Sequence, residues 1–336
     1  MAKKTLFAGI DVSKVKLDLA LHGSPERHQF DNDRKGHKAL ISFLKKRGGK
    51  VTVTLEATGV YGLDIALALH TVRRFEVCYL NPARSRAFAR VDNLSRAKTD
   101  KVDCGQLAKM GAVLDLQRWT PPATDKLELR SVTRRVRALI DESTREKNRL
   151  NEVRCTGTSS NLVIIDLEEH ITQLETRIAK LRKAAIAHAR SHPDLDEALD
   201  IIVSVRGIAE PSGIEILGAY ACLPNDLSTR QLTAQAGLDP KPKQSGMIDS
   251  PRHISKMGSR HLRAAMFMPA INTVKHCPEV RRFFEHLTEN RQKKPLVAYT
   301  AVARKLLCTI HGMLRTKTTF DATRFYNPHE KMERAA

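Results

Sequence analysis

Four carboxylates and one serine carry the chemistry this sequence could perform. Asp11 ends a short apolar run, Gly9-Ile-Asp11-Val-Ser13; Glu56 follows the apolar run at 51–55; and Asp100 and Asp103 stand three apart at the start of a predicted helix. A spacing of three puts both aspartates on one helix face, where they can share a metal. Carboxylates at strand ends and helix starts can converge at one edge of a parallel sheet. Four of them suit a two-metal site in which hard Mg²⁺ or Mn²⁺ ions take oxygen ligands, polarise a phosphodiester, and clamp the attacking and leaving oxygens. Taken singly, each acid also has a plain role: Asp11 as a turn cap, Glu56 as a solvated side chain, Asp100 and Asp103 as helix N-terminal charges. The combination is more specific, because residues 84–101 hold six Lys or Arg against two Asp. Positive charge beside an acidic site draws in a phosphate backbone that the carboxylates alone would repel.

The serine is Ser245, in Gly237-Leu-Asp-Pro-Lys-Pro-Lys-Gln-Ser245-Gly246, followed by Ile254-Ser-Lys256-Met-Gly258-Ser-Arg260-His-Leu-Arg263. From Lys241 to Arg263 there are six Lys or Arg and one Asp. Prolines on one side and glycine on the other exclude an ordinary helix, so the hydroxyl is expected on a loop. A serine among cations can attack phosphorus, since the cations stabilise both the alkoxide and the pentavalent transition state. Most loop serines only bond to the backbone. Candidate phosphate contacts are Arg84, Arg86, Arg90 and Lys98 near the acids, and Lys256, Arg260 and Arg263 near the serine.

The elements that must position these residues follow from the pattern. Residues 5–12 and 15–21 read as a β-hairpin around Ser13-Lys14, with a short strand at 27–30, a helix over 34–47, a buried strand at 51–55, a helix over 61–70 and a strand at 76–80. Strands and helices alternating after an opening hairpin imply a mixed α/β sheet over 1–120. Beyond Pro121-Pro122 the texture becomes helical. Ile164, Leu167, Ile171, Leu174, Ile178, Leu181 and Ala185 alternate steps of three and four, a coiled-coil signal, with Gly157 supplying a turn from the preceding helix. Either a helical hairpin or an intersubunit coiled coil satisfies this arm, 121–193. A compact, mostly α-helical domain is expected over 194–320, opening with helix, Arg206-Gly207-Ile208-Ala209 turn, helix: the outline of a helix-hairpin-helix whose turn amides can face a phosphate, or equally of a plain helical corner. The stretch 321–336 is a polar tail.

With 336 residues the chain is long enough for two ordinary domains. Its 57 Lys and Arg against 37 Asp and Glu give a formal net charge of +20, which favours a polyanionic partner, nucleic acid first. No apolar run approaches the ~20 residues needed to span a bilayer, so a cytoplasmic location without membrane partners is expected. The six cysteines lie far apart with no CxxC pair, and the thirteen histidines form no metal-spaced group, which argues against zinc knuckles and disulfide frameworks.

At these residues the sequence resembles the DEDD-type transposases of the insertion-sequence-110 family, relatives of the Piv DNA invertases. The N-terminal resemblance runs through Gly9-Ile-Asp11-Val-Ser13, Glu56-Ala-Thr-Gly59-Val-Tyr61, Asn81-Pro82 and Lys98-Thr-Asp100-Lys-Val-Asp103; the C-terminal one through Arg206-Gly207-Ile208, Ala236-Gly237-Leu238, Pro240, Ser245-Gly246, Ile254-Ser-Lys256, Gly258 and Leu262-Arg263. It implies a RuvC-like (RNase H-like) sheet followed by a helical transposase domain, with Asp11, Glu56, Asp100 and Asp103 as the metal-binding tetrad and Ser245 as a nucleophile that joins covalently to DNA. It further implies DNA partners (element ends and target), an element-encoded guide RNA and a homo-oligomer, dimer or tetramer. Ala209, Asp239 and Met247 depart from the family's usual residues in the phosphate-facing loops. Two other readings compete: a stand-alone RuvC-like nuclease in which water attacks and Ser245 is structural, and a non-catalytic nucleic-acid-binding scaffold.

Overall fold

A computed structural model describes residues 5–57, 59, 61–92, 103–156, 158, 160–224, 226–241, 244–245, 248–249 and 253–326; at Asp92, 244–245 and 248–249 only the backbone is described. The chain divides into two compact units, Met1–Pro121 and Pro122–Ala336.

The N-terminal unit is built on five strands: β1 (Leu6–Val12), β2 (Lys16–Leu21), β3 (Arg27–Asp31), β4 (Val51–Glu56) and β5 (Phe75–Leu80), in the order β3-β2-β1-β4-β5. The first three are antiparallel neighbours; β1, β4 and β5 run parallel. This is the mixed α/β sheet expected from the opening hairpin. Helices α1 (Arg34–Lys46), α2 (Leu63–His70), α3 (Pro82–Asp92) and α4 (Cys104–Val113) complete the unit. Alternation along the strands decides the two faces. Ala8 and Ile10 of β1, Leu17 and Leu19 of β2, and Val53 and Leu55 of β4 bury on one face against Leu40 and Leu44 of α1 and Ile65 and Leu69 of α2. The chain then returns to the sheet edge: Trp119 donates its amide to the Val77 carbonyl at 2.8 Å, and Arg118 pairs with Glu76 at 2.6 Å.

The C-terminal unit opens with two long helices, α5 (Thr124–Cys155) and α6 (Asn161–Arg190). The heptad seam of α6 packs on α5 within the same chain: Leu174 and Ile178 cluster with Val136 and Leu139. The arm is therefore a helical hairpin whose seam is already covered. Its base merges with the unit's main core, to which Leu129, Ala185 and Ala189 contribute. Around that core lie α7 (Pro193–Val203), α8 (Glu210–Tyr220), α9 (Thr229–Ala236), the short strands β6 (Pro240–Lys241), β7 (Gln244–Ser245), β8 (Ile248–Asp249) and β9 (His253–Ile254), and helices α10 (Arg260–His276), α11 (Pro278–Glu285) and α12 (Pro295–Thr316). A buried polar link ties α8 to α12: His311 donates from Nε2 to the Leu227 carbonyl at 2.8 Å and accepts at Nδ1 from the Tyr220 hydroxyl at 2.6 Å.

The outline of α7, turn and α8 is as the sequence suggests, with a cluster of ion pairs beside it. Arg190 sits at the start of α8, paired with Glu210 at 2.7 Å, Asp196 at 2.5 Å and Asp200 at 2.6 Å. Of these acids, Glu210 belongs to the first turn of α8, and Asp196 and Asp200 to α7. Ala209, in place of a second glycine, takes an extended conformation (φ −90°, ψ 164°) that any residue adopts. Among the described residues no helix is long and apolar enough to cross a membrane.

Candidate active site

Register, not sequence proximity, assembles the acidic residues. Ile10 is level with Leu55 across the parallel β1–β4 pair, so Asp11 and Glu56 come next on adjacent strands at their C-terminal ends. On the other side of β1, Asp11 faces Asp18 of β2. Alternation puts Asp18, Asp11 and Glu56 on the face opposite the α1–α2 core.

Helix α4 lies on that same face. A Cβ added to Gly9 would sit 2.0 Å from the Cys104 carbonyl oxygen and 2.3 Å from the Ala108 nitrogen, so the first turn of α4 crosses β1 backbone to backbone. That approach requires glycine, and it brings Asp103 to the acidic edge. Asp103 is the N-cap of α4 rather than a residue inside it, so the expectation that Asp100 and Asp103 share a helix face gives way to a cap; Asp100 itself lies outside the described residues.

Both oxygens of Asp103 are engaged. Oδ1 accepts from the Gln106 amide at 2.9 Å, and Oδ2 accepts from Nη2 of Arg27, at the start of β3, at 2.8 Å. Burial alone would push the Asp103 carboxyl up, but the Arg27 guanidinium and the Gln106 and Gly105 amides hold it below the usual aspartate range. The same bond raises Arg27. Burial raises the Cys104 thiol, Arg27 opposes it, and Asp103, Asp18 and Asp11 add to it, so the fields of three acids overlap there. Glu56 accepts a short hydrogen bond from the hydroxyl of Ser85, a fully buried residue of α3. On α3, Arg84, Arg86 and Arg90 are exposed, and Arg86 donates to the Pro82 carbonyl at 3.1 Å; Lys98 lies outside the described residues.

Carboxylate oxygens along one sheet face suit a hard divalent cation in kind. Among the described residues, no three His, Cys, Asp or Glu stand close enough together to hold one.

The serine segment is built differently. Strand β6 pairs with β9, Pro240 opposite Ile254, to form a stem, and beyond it β7 pairs with β8, Ser245 opposite Ile248. Ser245 thus sits in a two-residue ladder where a loop was expected; Gly246 and Met247 lie outside the described residues. The stem is pinned to the end of α9. The Ser255 amide and hydroxyl donate to the carbonyl and Oδ1 of Asp239 at 2.8 and 2.5 Å, and the Lys256 amide donates to the Gly237 carbonyl at 3.1 Å. Asp239 therefore closes the stem. A Cβ on Gly258 would lie 2.2 Å from the Gln235 carbonyl oxygen. Of the three cations expected to meet phosphate here, Arg263 donates to the Ala236 carbonyl at 2.9 Å, which caps α9, and Arg260 pairs with Asp141 at 2.9 Å; the Lys256 side chain has no acidic partner among the described residues.

Sequence reasoning missed Asp18, Arg27 and Ser85. Asp18 was within reach, since a tight hairpin fixes it opposite Asp11. Arg27 and Ser85 were not, because each meets its acid across 76 and 29 residues respectively.

Two family models match the chain: one described as a transposase of the DEDD type, over residues 8–153, and one described as Transposase IS116/IS110/IS902 family, over residues 199–285. The chain belongs to the IS110 family of transposases. It is similar to the pilin gene-inverting proteins of Moraxella bovis and Moraxella lacunata, 27% and 26% identical over 329 residues, which cover 94% of this chain and 97% of each relative. It also resembles the insertion element IS110 uncharacterized 43.6 kDa protein of Streptomyces coelicolor, 24% identical over 167 residues, 50% of this chain and 40% of the relative. The transposase is thus an enzyme of DNA recombination with a RuvC-like N-terminal sheet, and its family implies a divalent metal.

Proposed function

We propose that this transposase cuts and rejoins DNA through a covalent serine intermediate, with Asp11, Glu56, Asp100 and Asp103 holding Mg²⁺. The observation that carries the acidic half is the side-by-side register of Asp11 and Glu56 at the ends of parallel strands, with the Asp103 cap of α4 laid over the same face. When bound, the metal supplies Lewis-acid stabilisation of phosphoryl oxygens. Glu56 is oriented by Ser85, and Asp103 is held ionised by Arg27 and its cap bonds.

Ser245 supplies the nucleophile. Its Oγ–P bond forms as one bridging P–O bond to deoxyribose breaks; the serine proton leaves and the departing deoxyribose oxygen takes one up. A free hydroxyl of the exchanged strand reverses the step, so phosphodiester energy is conserved where hydrolysis by water would lose it. The stem pinned to α9 supports this reading, because it gives the serine segment a fixed root. An element-encoded guide RNA is the second polyanion, to which the +20 charge is suited.

Self-association belongs to the same reading. The seam of the arm is covered within the chain, but at the start of α6 Leu162 is 77%, Val163 46% and Ile165 51% exposed. Replacing Leu162 and Ile165 with Glu lowers the mass seen by light scattering.

The deciding experiment incubates protein, element RNA and element DNA ends with Mg²⁺ and assays a protein–DNA adduct. Ser245→Ala binds both nucleic acids but gives no adduct and no joined product; Asp11→Asn and Asp103→Asn stay folded and cut nothing. Normal recombination by Ser245→Ala would move the RuvC-like nuclease reading to first place.

A further inference from the structure

A groove of about 880 Å³ in the C-terminal unit lies between α10 and the start of α12, and the stem of the serine segment forms its rim through Pro240, His253 and Ile254. That volume is at the upper end of what small-ligand pockets occupy, ~300–1,000 Å³. Its floor is apolar and solvated: Phe267 is 38%, Met268 54%, Leu296 64% and Val297 51% exposed. Its walls are cationic, with Arg137, Lys256, Arg260, Arg263 and Arg304, and among the described residues no carboxylate lines it. Asp141, outside the lining, pairs with both Arg137 and Arg260, at 2.7 and 2.9 Å. Lys256 and Arg304 have no acidic partner among the described residues.

The combination is selective. A polyanion without apolar surface would satisfy the walls and leave the floor wet; an apolar peptide or helix would cover the floor and bury guanidinium groups without counter-charge, which is costly. A paired duplex turns phosphates outward and hides its base faces. An unpaired polynucleotide strand presents both at once, phosphates for the cations and base faces for the floor, the pairing of basic groove and stacking platform that single-strand-binding surfaces use. Phe, Met and Leu side chains are also among those that lever base steps apart.

We propose that this groove holds unstacked nucleotides of the DNA strand next to the phosphate that Ser245 attacks, Phe267, Met268 and Leu296 receiving bases while Lys256 and Arg304 take phosphates. The assignment to DNA rests on the serine reading above, because the groove's rim is the stem of the segment that carries Ser245.

The test uses the full chain and one sequence carrying 2-aminopurine, offered as single-stranded DNA, as fully paired duplex and as single-stranded RNA. Single-stranded DNA is expected to bind about tenfold more tightly than the duplex, with a change in 2-aminopurine fluorescence as the base leaves its neighbours. Phe267→Ala with Leu296→Ala lowers single-strand affinity about tenfold and leaves duplex affinity within twofold. Lys256→Ala with Arg304→Ala reduces the slope of log K against log salt by about 1.4, at ~0.7 per phosphate contact on a single strand. The four side chains are solvent-exposed or at the groove wall, so circular dichroism should be unchanged. Three results would overturn the proposal: Phe267→Ala/Leu296→Ala binding single strands as wild type, the same variant lowering the mass by light scattering (a second copy of the chain on the floor), or single-stranded RNA bound more tightly than DNA with the same loss. Ser245→Ala is the separating control: it keeps the single-strand binding, so loss of adduct without loss of binding reports on the serine alone.

Discussion

The two proposed sites of this transposase are held by opposite means. At the acidic edge, three strands in fixed register line up Asp18, Asp11 and Glu56 on one face, and a helix crossing at Gly9 adds Asp103, which pairs with Arg27. At the serine segment the ladders are only two residues long, and position comes from a stem tied to the end of α9 by backbone bonds and by Gly258 against the Gln235 carbonyl. One site borrows the rigidity of a sheet, the other the rigidity of a helix terminus. A sheet fixes several side chains at once, as several metal ligands require. A pinned stem fixes one segment and leaves its far end to local geometry, which suits a single nucleophile.

Changes to the frame of one unit should therefore leave the other intact. The largest effect is expected at the arm. Leu174 is fully buried in the α5–α6 seam, and Leu174→Asp places a carboxylate among Val136, Leu139 and Ile178, costing about 4 kcal/mol or more. Thermal unfolding monitored separately in the two units should show the C-terminal transition lowered by roughly 10 °C and the N-terminal one unmoved; a shared shift would mean that the units do not unfold independently.

Next come the two glycine contacts, which test the comparison directly. Gly9→Ala must push α4 off β1, and Gly258→Ala must push the stem off α9, each at about 1–3 kcal/mol of overpacking strain. Hydrogen exchange should rise in α4 for the first variant and in 237–241 and 253–258 for the second. Exchange rising in both places in either variant would dissolve the distinction.

A smaller effect attends Arg27→Ala, which removes a half-exposed ion pair worth about 0.5–1 kcal/mol. The sign follows from Asp103, whose carboxyl lies below its ordinary value of 3.8: the pair's contribution is present above that pH and is lost as pH falls through the lowered folded value. The stability gap between Arg27→Ala and wild type should thus be constant near neutrality and close in acid. A gap that persisted in acid would assign Arg27 to packing.

The smallest effect is chemical. Cys155 is exposed, whereas burial pushes the Cys78 thiol up to about 11 and also raises Cys104, Cys222, Cys277 and Cys308. Iodoacetamide at neutral pH should label Cys155 first and Cys78 last; early labelling of Cys78 would indicate that β5 opens readily.

Much of this was legible in the residues. Period-two alternation from Lys16 to Leu21 and the apolar run at 51–55 specified strands, and the three/four spacing from Ile164 to Ala185 specified a helix with one apolar stripe, because those periods are properties of the backbone itself. Asp11 and Glu56 could be picked out as strand-end acids for the same reason. The Ser245 stretch could be recognised as non-helical from its prolines and glycine, since each acts on its own φ and ψ. What the stripe of α6 would face could not be read, because an apolar seam is satisfied equally by a helix of its own chain or of another; the structure gives it α5. Nor could the role of Asp103 be read, since three-residue spacing describes a helix face only once the helix's first residue is known, and that start is set by where α4 crosses Gly9. The partners Arg27 and Ser85, the three acids around Arg190, and the groove that joins Lys256 to Phe267 and Arg304 are all decided by tertiary structure. Local periodicity fixes which face a residue takes; only packing of distant segments fixes what that face meets.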